Sequence, residues 1–229
     1  MEQVQPEYLS LVTEPETTGT AIGLFLSPAT WRTYVEGVVD QLEIDVPGHA
    51  VRLGAGSGTW EADDYVTGFA QVPALDYVDL HVYPLASPTG SFVDRLLDWP
   101  DLVRGIDPDK GLVMSEGWLY KAAVAELGGS PIDPDVLARD VWSFWGPLDE
   151  MFLDAMARTA HHKGYELITP YWSRYFFAYL DHGDPALAGP DAMELMRQAS
   201  IAAYGAILAG ETTGTGRAFR TLATTPLSK

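Results

Sequence analysis

Short apolar runs alternating with segments of helical period constrain this chain more than any other feature. The runs occupy residues 8–13, 49–53, 76–83, 111–115 and 166–172. Between them, apolar residues recur at intervals of three and four. Trp31, Tyr34, Val35, Val38, Val39 and Leu42 do so over 30–42, and Leu137, Val141, Phe144, Trp145, Leu148, Phe152 and Met156 within 134–163. Further helices are expected at 63–71, at 92–104 with a break at Pro100, and at 192–208, while Pro147 should kink the long one. Residues 14–19, Glu-Pro-Glu-Thr-Thr-Gly, read as a turn. Strands separated by helices pair in parallel, because the crossover returns the chain to the same end of the sheet. The fold class is therefore α/β. Five strands suit an open doubly wound sheet as well as part of a barrel, so periodicity alone leaves the topology open.

Composition removes several functions. With no cysteine there are no disulfides, no thiolate metal ligands and no cysteine nucleophile. A formal net charge of −18 at pH 7 opposes binding to nucleic acid, whose phosphates must be met by Lys and Arg. No run of apolar residues is long enough to span a membrane, and the opening residues lack the basic and apolar regions of a secretory signal. The compartment stays undetermined. Gly54-x-Gly56-x-Gly58 lacks the G-x-G-x-x-G spacing and no G-x-x-x-x-G-K-[ST] occurs, which argues against a nucleotide site. His161, His162 and His182 have no H-E-x-x-H context and read as solvent-facing rather than metal ligands. Glu61, Asp63 and Asp64 could line an outer cleft or start a helix, and the helix reading is favoured.

In parallel α/β folds, chemistry collects at the C-terminal ends of the strands. Those ends carry Thr13-Glu14-Pro15, Gly56-Ser57-Gly58-Thr59-Trp60, His81-Val82-Tyr83, Ser115-Glu116-Gly117-Trp118 and Tyr171-Trp172-Ser173-Arg174. Two of them place a glutamate directly after an apolar run, a costly position unless the carboxylate is paired or lies in a cleft. Each residue alone has a plain structural reading: Glu14 as a loop charge, His81 as a core histidine, Trp172 as packing. It is the series that points to chemistry.

In kind and order, these motifs resemble strands four to eight of clan A glycoside hydrolases, the retaining β-glycosidases built on (β/α)8 barrels. The resemblance implies an incomplete (β/α)8 barrel with about five parallel strands and flanking helices, one partial catalytic domain over 1–229 that lacks strands one to three. It implies Glu14 as acid/base, Glu116 as nucleophile, and a Tyr83 hydrogen bond that keeps Glu116 ionised. His81 and Tyr83 would give polar support to the sugar, with Trp172 as platform and Trp60 and Trp118 as further stacking residues. Thr13 stands where the clan has Asn beside the acid/base. The separation of Glu14 from Glu116 fits three βα units of about 30 or more residues. The expected activity is double-displacement hydrolysis of a β-linked oligo- or polysaccharide, with no cofactor and no metal. The alternative is a carbohydrate-binding or structural remnant without turnover. Unpaired sheet edges predict self-association of the isolated chain.

Overall fold

A computed structural model describes residues 6–48, 50–83, 86–87, 90–126 and 133–225. The chain forms two compact units. The first comprises Met1–Pro84, Pro88–Gly117 and Lys163–Thr169, and the second Leu85–Ser87, Trp118–His162 and Pro170–Lys229. The elements run β1 (Tyr8–Ser10), α1 (Pro15–Ile22), α2 (Pro28–Asp45), β2 (Arg52–Gly58), α3 (Asp63–Ala70) and β3 (Tyr77–Val82). They continue with β4 (Ala86–Ser87), β5 (Gly90–Ser91), α4 (Phe92–Ile106), β6 (Gly111–Gly117), α5 (Pro134–Leu137), α6 (Gly146–Lys163), β7 (Leu167–Pro170), α7 (Ala192–Ala209) and α8 (Gly214–Thr224). Among the described residues, no helix is long and apolar enough to cross a membrane.

Five parallel strands in the order β1-β2-β3-β6-β7 form a half-barrel with flanking helices, an incomplete α/β barrel. The order decides the topology that periodicity left open. A doubly wound sheet reverses its strand order at a switch point, whereas here each crossover advances one place in the same direction. Tyr8 pairs with Arg52, Gly54 with Tyr77 and Tyr77 with Gly111, so the strands start nearly level.

The two faces of β2 explain its sequence. Leu53 and Ala55 pack into a core with Trp31, Val35 and Val39 of α2 and Tyr65 and Phe69 of α3. Because strand side chains alternate, Gly54, Gly56 and Gly58 fall on the opposite, inner face. A methyl group on Gly54 would overlap the Tyr77 ring, on Gly56 the Asp79 carbonyl, and on Gly58 the Trp60 indole. The glycine run is thus strand, not loop, and β2 lies at Arg52–Gly58 rather than at 49–53. His49 lies outside the described residues.

Other differences also have local causes. The expected turn after Glu14 is helix α1, with Pro15 at its first position and Gly23 closing it at φ 69°. Pro100 lies inside α4 without breaking it. A proline there leaves the carbonyl four residues earlier, that of Leu96, without its helical donor, and the Tyr165 hydroxyl donates to it at 3.5 Å. The long helix expected over 134–163 is instead α5, two 3₁₀ turns and α6, with Pro147 in the first turn of α6, where it costs no hydrogen bond. The Thr/Gly-rich stretch after Glu211 opens α8, capped by the Thr213 hydroxyl on Gly216 N–H.

The second unit has its own buried polar centre. Lys121 Nζ ion-pairs with Asp149 and lies 3.8 Å from Asp140, with all three side chains almost wholly excluded from solvent. Tyr179 donates to Asp149 at 2.7 Å and Trp118 to Asp140 at 3.1 Å. Two carboxylates share one ammonium, and burial raises the Asp140 pKa to about 6.

The packing of β2 predicts opposite effects from two Gly→Ala changes. Gly56→Ala should destabilise by about 1–3 kcal/mol or more, since the obstacle is backbone. Gly37→Ala, in the exposed interior of α2 with nothing near the added carbon, should stabilise by about 0.5–1 kcal/mol. Denaturant midpoints of the two variants check both signs.

Candidate functional site

The site is built on β3. Tyr77, Asp79 and His81 are two residues apart and project from the inner face one above the other, while Val78, Leu80 and Val82 fill the opposite side. His81 stands at the C-terminal end, buried, with Tyr83 next above it. Its Nδ1 lies 2.6 Å from Glu14 Oε1 and its Nε2 lies 3.0 Å from Ser115 Oγ. Glu116 Oε2 is 3.5 Å from the same Nδ1, and the Tyr83 hydroxyl donates to Glu116 Oε1.

A strand irregularity lets two consecutive residues reach the site. Asp79 pairs with Val113, but His81 pairs with Glu116, so β6 carries one residue more than β3 over this stretch. In a regular strand Ser115 and Glu116 would point to opposite faces. The bulge re-aims them, and both side chains approach His81. Asp79 holds the irregularity in place: its Oδ1 accepts the Ser115 N–H at 3.0 Å and its Oδ2 accepts the Ser115 hydroxyl at 2.7 Å.

Glu14 is placed from the other side by Glu61, which reads from sequence more as a helix start than as a cleft residue. Glu61 is 1% exposed. Its carboxylate accepts from Ser57 Oγ at 2.6 Å, Gly58 N at 3.0 Å and Glu16 N at 2.6 Å. It thereby ties the first turn of α1, and the Glu14-Pro15 bend before it, to the end of β2. Arg95 of α4 clamps the same loop through the carbonyls of Thr59 and Glu61, at 2.6 and 2.7 Å. Asp63 and Asp64 occupy the first turn of α3 as expected for a helix start.

Burial and charge compete over the ionisable groups. Desolvation alone would lower the pKa of His81, but the hydrogen bond to Glu14 and the charges of Glu116, Asp79 and Glu14 outweigh it, and the net shift is upward. For Glu116, burial together with the charges of Glu14 and Asp79 outweighs the Tyr83 hydrogen bond and the His81 charge, and the net shift is upward. The expected Tyr83 bond is present and favours the ionised carboxylate, yet it moderates the effect of burial rather than overcoming it.

Glu14, His81 and Glu116 each offer a ligand atom within 4.8 Å of the others, a spacing that would suit a cation. Both imidazole nitrogens are already engaged, by Glu14 and Ser115, so a metal would have to break one of these bonds to gain a nitrogen ligand. His161, His162 and His182 are exposed and join no such group among the described residues.

Glu14, His81, Tyr83, Glu116 and Trp60 therefore gather in the first unit. Trp60 lies against Tyr83, ring centroids 5.5 Å apart, and over Gly58. Thr13 is half-buried and lines a cavity of about 340 Å³ with Ser10, Val12, Thr18, Trp31 and Tyr34. Trp118 and Trp172 belong to the second unit. Trp118 is fully buried, packed against Phe152 and Tyr175, so its ring offers no open face to a ligand. Trp172 is half-buried and carries the Arg174 guanidinium 4.3 Å over its ring. Asp79, Ser115, Ser10 and Glu61 were not expected at the site. Only Asp79 had a legible signal, the two-residue spacing of Asp79, His81 and Tyr83.

Likeness to known proteins is confined to structure. No protein-family model matches the sequence, and no curated protein matches it. Among solved structures, the chain is similar to an active-site mutant of a β-1,3-glucanosyltransferase from Rhizomucor miehei in complex with laminaritriose. Identity is 14% and the TM-score 0.36, covering 69% of this chain and 50% of that one. It is also similar to a family 51 α-L-arabinofuranosidase from Bifidobacterium longum, at 17% identity and a TM-score of 0.39, covering 64% of this chain and 34% of that one. The chain thus spans half or less of the length of these two proteins.

The competition at Glu116 predicts the effect of removing one hydroxyl. Tyr83→Phe should raise the Glu116 pKa further, seen as a higher titration midpoint of its ¹³C-labelled carboxyl in NMR. Because the folded value already exceeds the ordinary one, Glu116 contributes stability at acid pH that is lost as pH rises through the folded pKa. The variant should therefore lose stability relative to the parent on the alkaline side of that transition.

Proposed function

We propose that this chain carries the reacting carboxylates of a retaining β-glycoside hydrolase acting on a β-linked oligo- or polysaccharide. The observation that carries the reading is the arrangement of Glu14 and Glu116 around His81, with carboxylate oxygens within 4.8 Å of one another, although β1 and β6, whose C-terminal ends carry them, are separated in the sheet by β2 and β3. An inverting enzyme needs about 6.5–9.5 Å between its carboxyl groups to admit a water, whereas a retaining one needs about 5–5.5 Å. The closeness of this pair supports the second.

In this reading Glu116 attacks the anomeric carbon while Glu14 gives its proton to the leaving oxygen. Glu14 then takes a proton from the water that releases the sugar from Glu116. Tyr83 keeps one Glu116 oxygen bonded and leaves Oε2 as the attacking atom. His81 stands beside both carboxylates and offsets the charge that each gains or loses in turn. Trp60, set against Tyr83, offers an aromatic ring beside the carboxylates for stacking on a sugar face.

Two variants test the roles separately on a panel of aryl and alkyl β-glycosides. Glu116→Gln should lower turnover by several orders of magnitude, because the covalent step disappears; activity within about tenfold of the parent sinks the nucleophile assignment. Glu14→Ala should damage substrates with poor leaving groups far more than activated aryl glycosides, since only the former need a proton. Azide should then rescue the aryl substrate as a β-glycosyl azide. An α-azide, or equal damage to both classes, rules out a retaining acid/base role. A parent that binds oligosaccharide without turning over any substrate of the panel points to the non-catalytic remnant.

A further inference from the structure

We propose that Asp79, acting through the Ser115 hydroxyl, fixes the tautomer of His81 with its hydrogen on Nε2 and so makes the proton between His81 Nδ1 and Glu14 one that the pair can give away. The directions of the hydrogen bonds carry this. Asp79 is fully buried, and as a carboxylate it only accepts. It takes the Ser10 hydroxyl at 2.5 Å and the Ser115 hydroxyl at 2.7 Å on Oδ2, and the Ser115 N–H at 3.0 Å on Oδ1. With its hydrogen committed to Asp79, Ser115 Oγ has only lone pairs to offer His81 Nε2, 3.0 Å away. Nε2 must therefore bear a hydrogen. The Tyr77 hydroxyl, 3.0 Å from Ser10 Oγ, is left to donate to Ser10. All the donors of this column point towards Asp79.

With Nε2 filled, Nδ1 faces Glu14 Oε1 at 2.6 Å with one hydrogen between them. If the ring is neutral, that hydrogen is on Glu14 and points to the bare Nδ1. If the ring is charged, it is on Nδ1 and points to the carboxylate. Either way the pair holds a proton on the Glu14 line. In the opposite neutral tautomer the hydrogen between Nδ1 and Glu14 would be the only one on the ring, and giving it up would leave an imidazolate, so the pair would have no acidic proton to pass on. The ionisable groups that act on His81 are Glu14, Glu116, itself bonded by Tyr83, and Asp79, and of these only Asp79, through Ser115, acts on Nε2. Asp79, Ser115 and Ser10 are positioning residues. Their effect on turnover rests on the reading of Glu14 as acid/base; the tautomer does not.

The test is ¹⁵N NMR of the full chain with labelled imidazoles. In the parent, Nε2 of His81 should remain protonated throughout the titration. Asp79→Asn keeps one acceptor for Ser115 N–H and turns a donor towards Ser115 Oγ, which frees the hydroxyl hydrogen for Nε2. The neutral ring should then invert to Nδ1–H. Ser115→Ala removes only the relaying hydroxyl and should abolish the preference, and Ser115→Thr should restore it; this pair decides the matter if the Asn variant does not fold. A neutral parent ring carrying Nδ1–H, or one tautomer unchanged across the parent, Asp79→Asn and Ser115→Ala, overturns the proposal. On glycosides, Asp79→Asn should slow poor leaving groups more than good ones, and equal slowing breaks the link to Glu14. If no glycoside is turned over by the parent while the tautomer still inverts, the relay stands and the glycosidase reading fails.

Discussion

Two glutamates beside one buried histidine, with a third carboxylate beneath it, form the interaction on which the first unit depends. Placing Glu14, Glu116 and Asp79 around His81 sets negative charge against negative charge in a region short of water. Such a group holds together only if each carboxylate has donors and the histidine carries enough positive character to be shared. Both conditions are met here. Asp79 has three donors, Glu116 has Tyr83, and Glu14 shares a hydrogen with His81 Nδ1. The upward shift of His81 is the electrostatic consequence of the same crowding.

The second unit resolves a similar problem differently. Lys121 is buried between Asp149 and Asp140, and one ammonium cannot offset two carboxylates. Burial leaves Asp140 with a pKa of about 6. That value exceeds the ordinary one of 3.8, so the folded state holds a proton that the unfolded state has released, and the contribution falls as pH rises between the two. A lysine neutralises in place, whereas a histidine can pass its proton to a neighbour. The centre built around His81 is therefore suited to proton transfer, and the one around Lys121 to holding a fold together.

The sequence made the alternation of strands and helices legible because hydrophobic periodicity is a local property. It also marked Glu14, His81, Tyr83 and Glu116, since strand ends read as abrupt changes from apolar to polar residues. Three kinds of information were not local. The bulge that turns Ser115 and Glu116 towards one histidine follows from the pairing of β6 with β3, and nothing in Gly-Leu-Val-Met-Ser-Glu-Gly announces it. Glu61 resembled a helix-start acid because its partners, Ser57 and Glu16, come from two other segments. Gly54, Gly56 and Gly58 resembled a loop because glycine usually marks one, and their reason lies in the side chains and backbone packed over them. Trp118 and Trp172 followed strand-end positions, but the chain leaves the first unit between Gly117 and Trp118.

Those glycines connect the fold to the site. A barrel interior is ordinarily filled by layers of branched apolar side chains, and here the inner face of β2 contributes none. The space goes to Tyr77, whose ring lies over Gly54 and whose hydroxyl reaches Ser10. At the foot of the same face, Arg52 ion-pairs with Glu166 and donates to the Tyr8 hydroxyl at 3.0 Å, tying the starts of β1 and β2 to the segment before β7. Above Tyr77 the polar contacts continue through Ser10, Asp79 and Ser115 to His81. A polar column of this kind tolerates little slippage, because each hydroxyl has one hydrogen and its direction is set by its neighbour. Bulkier residues in β2 would displace Tyr77 and Asp79 together and leave the Ser115 hydroxyl free to turn. The precision with which His81 faces Glu14 is thus set three strands deep, by residues that never approach the reacting groups.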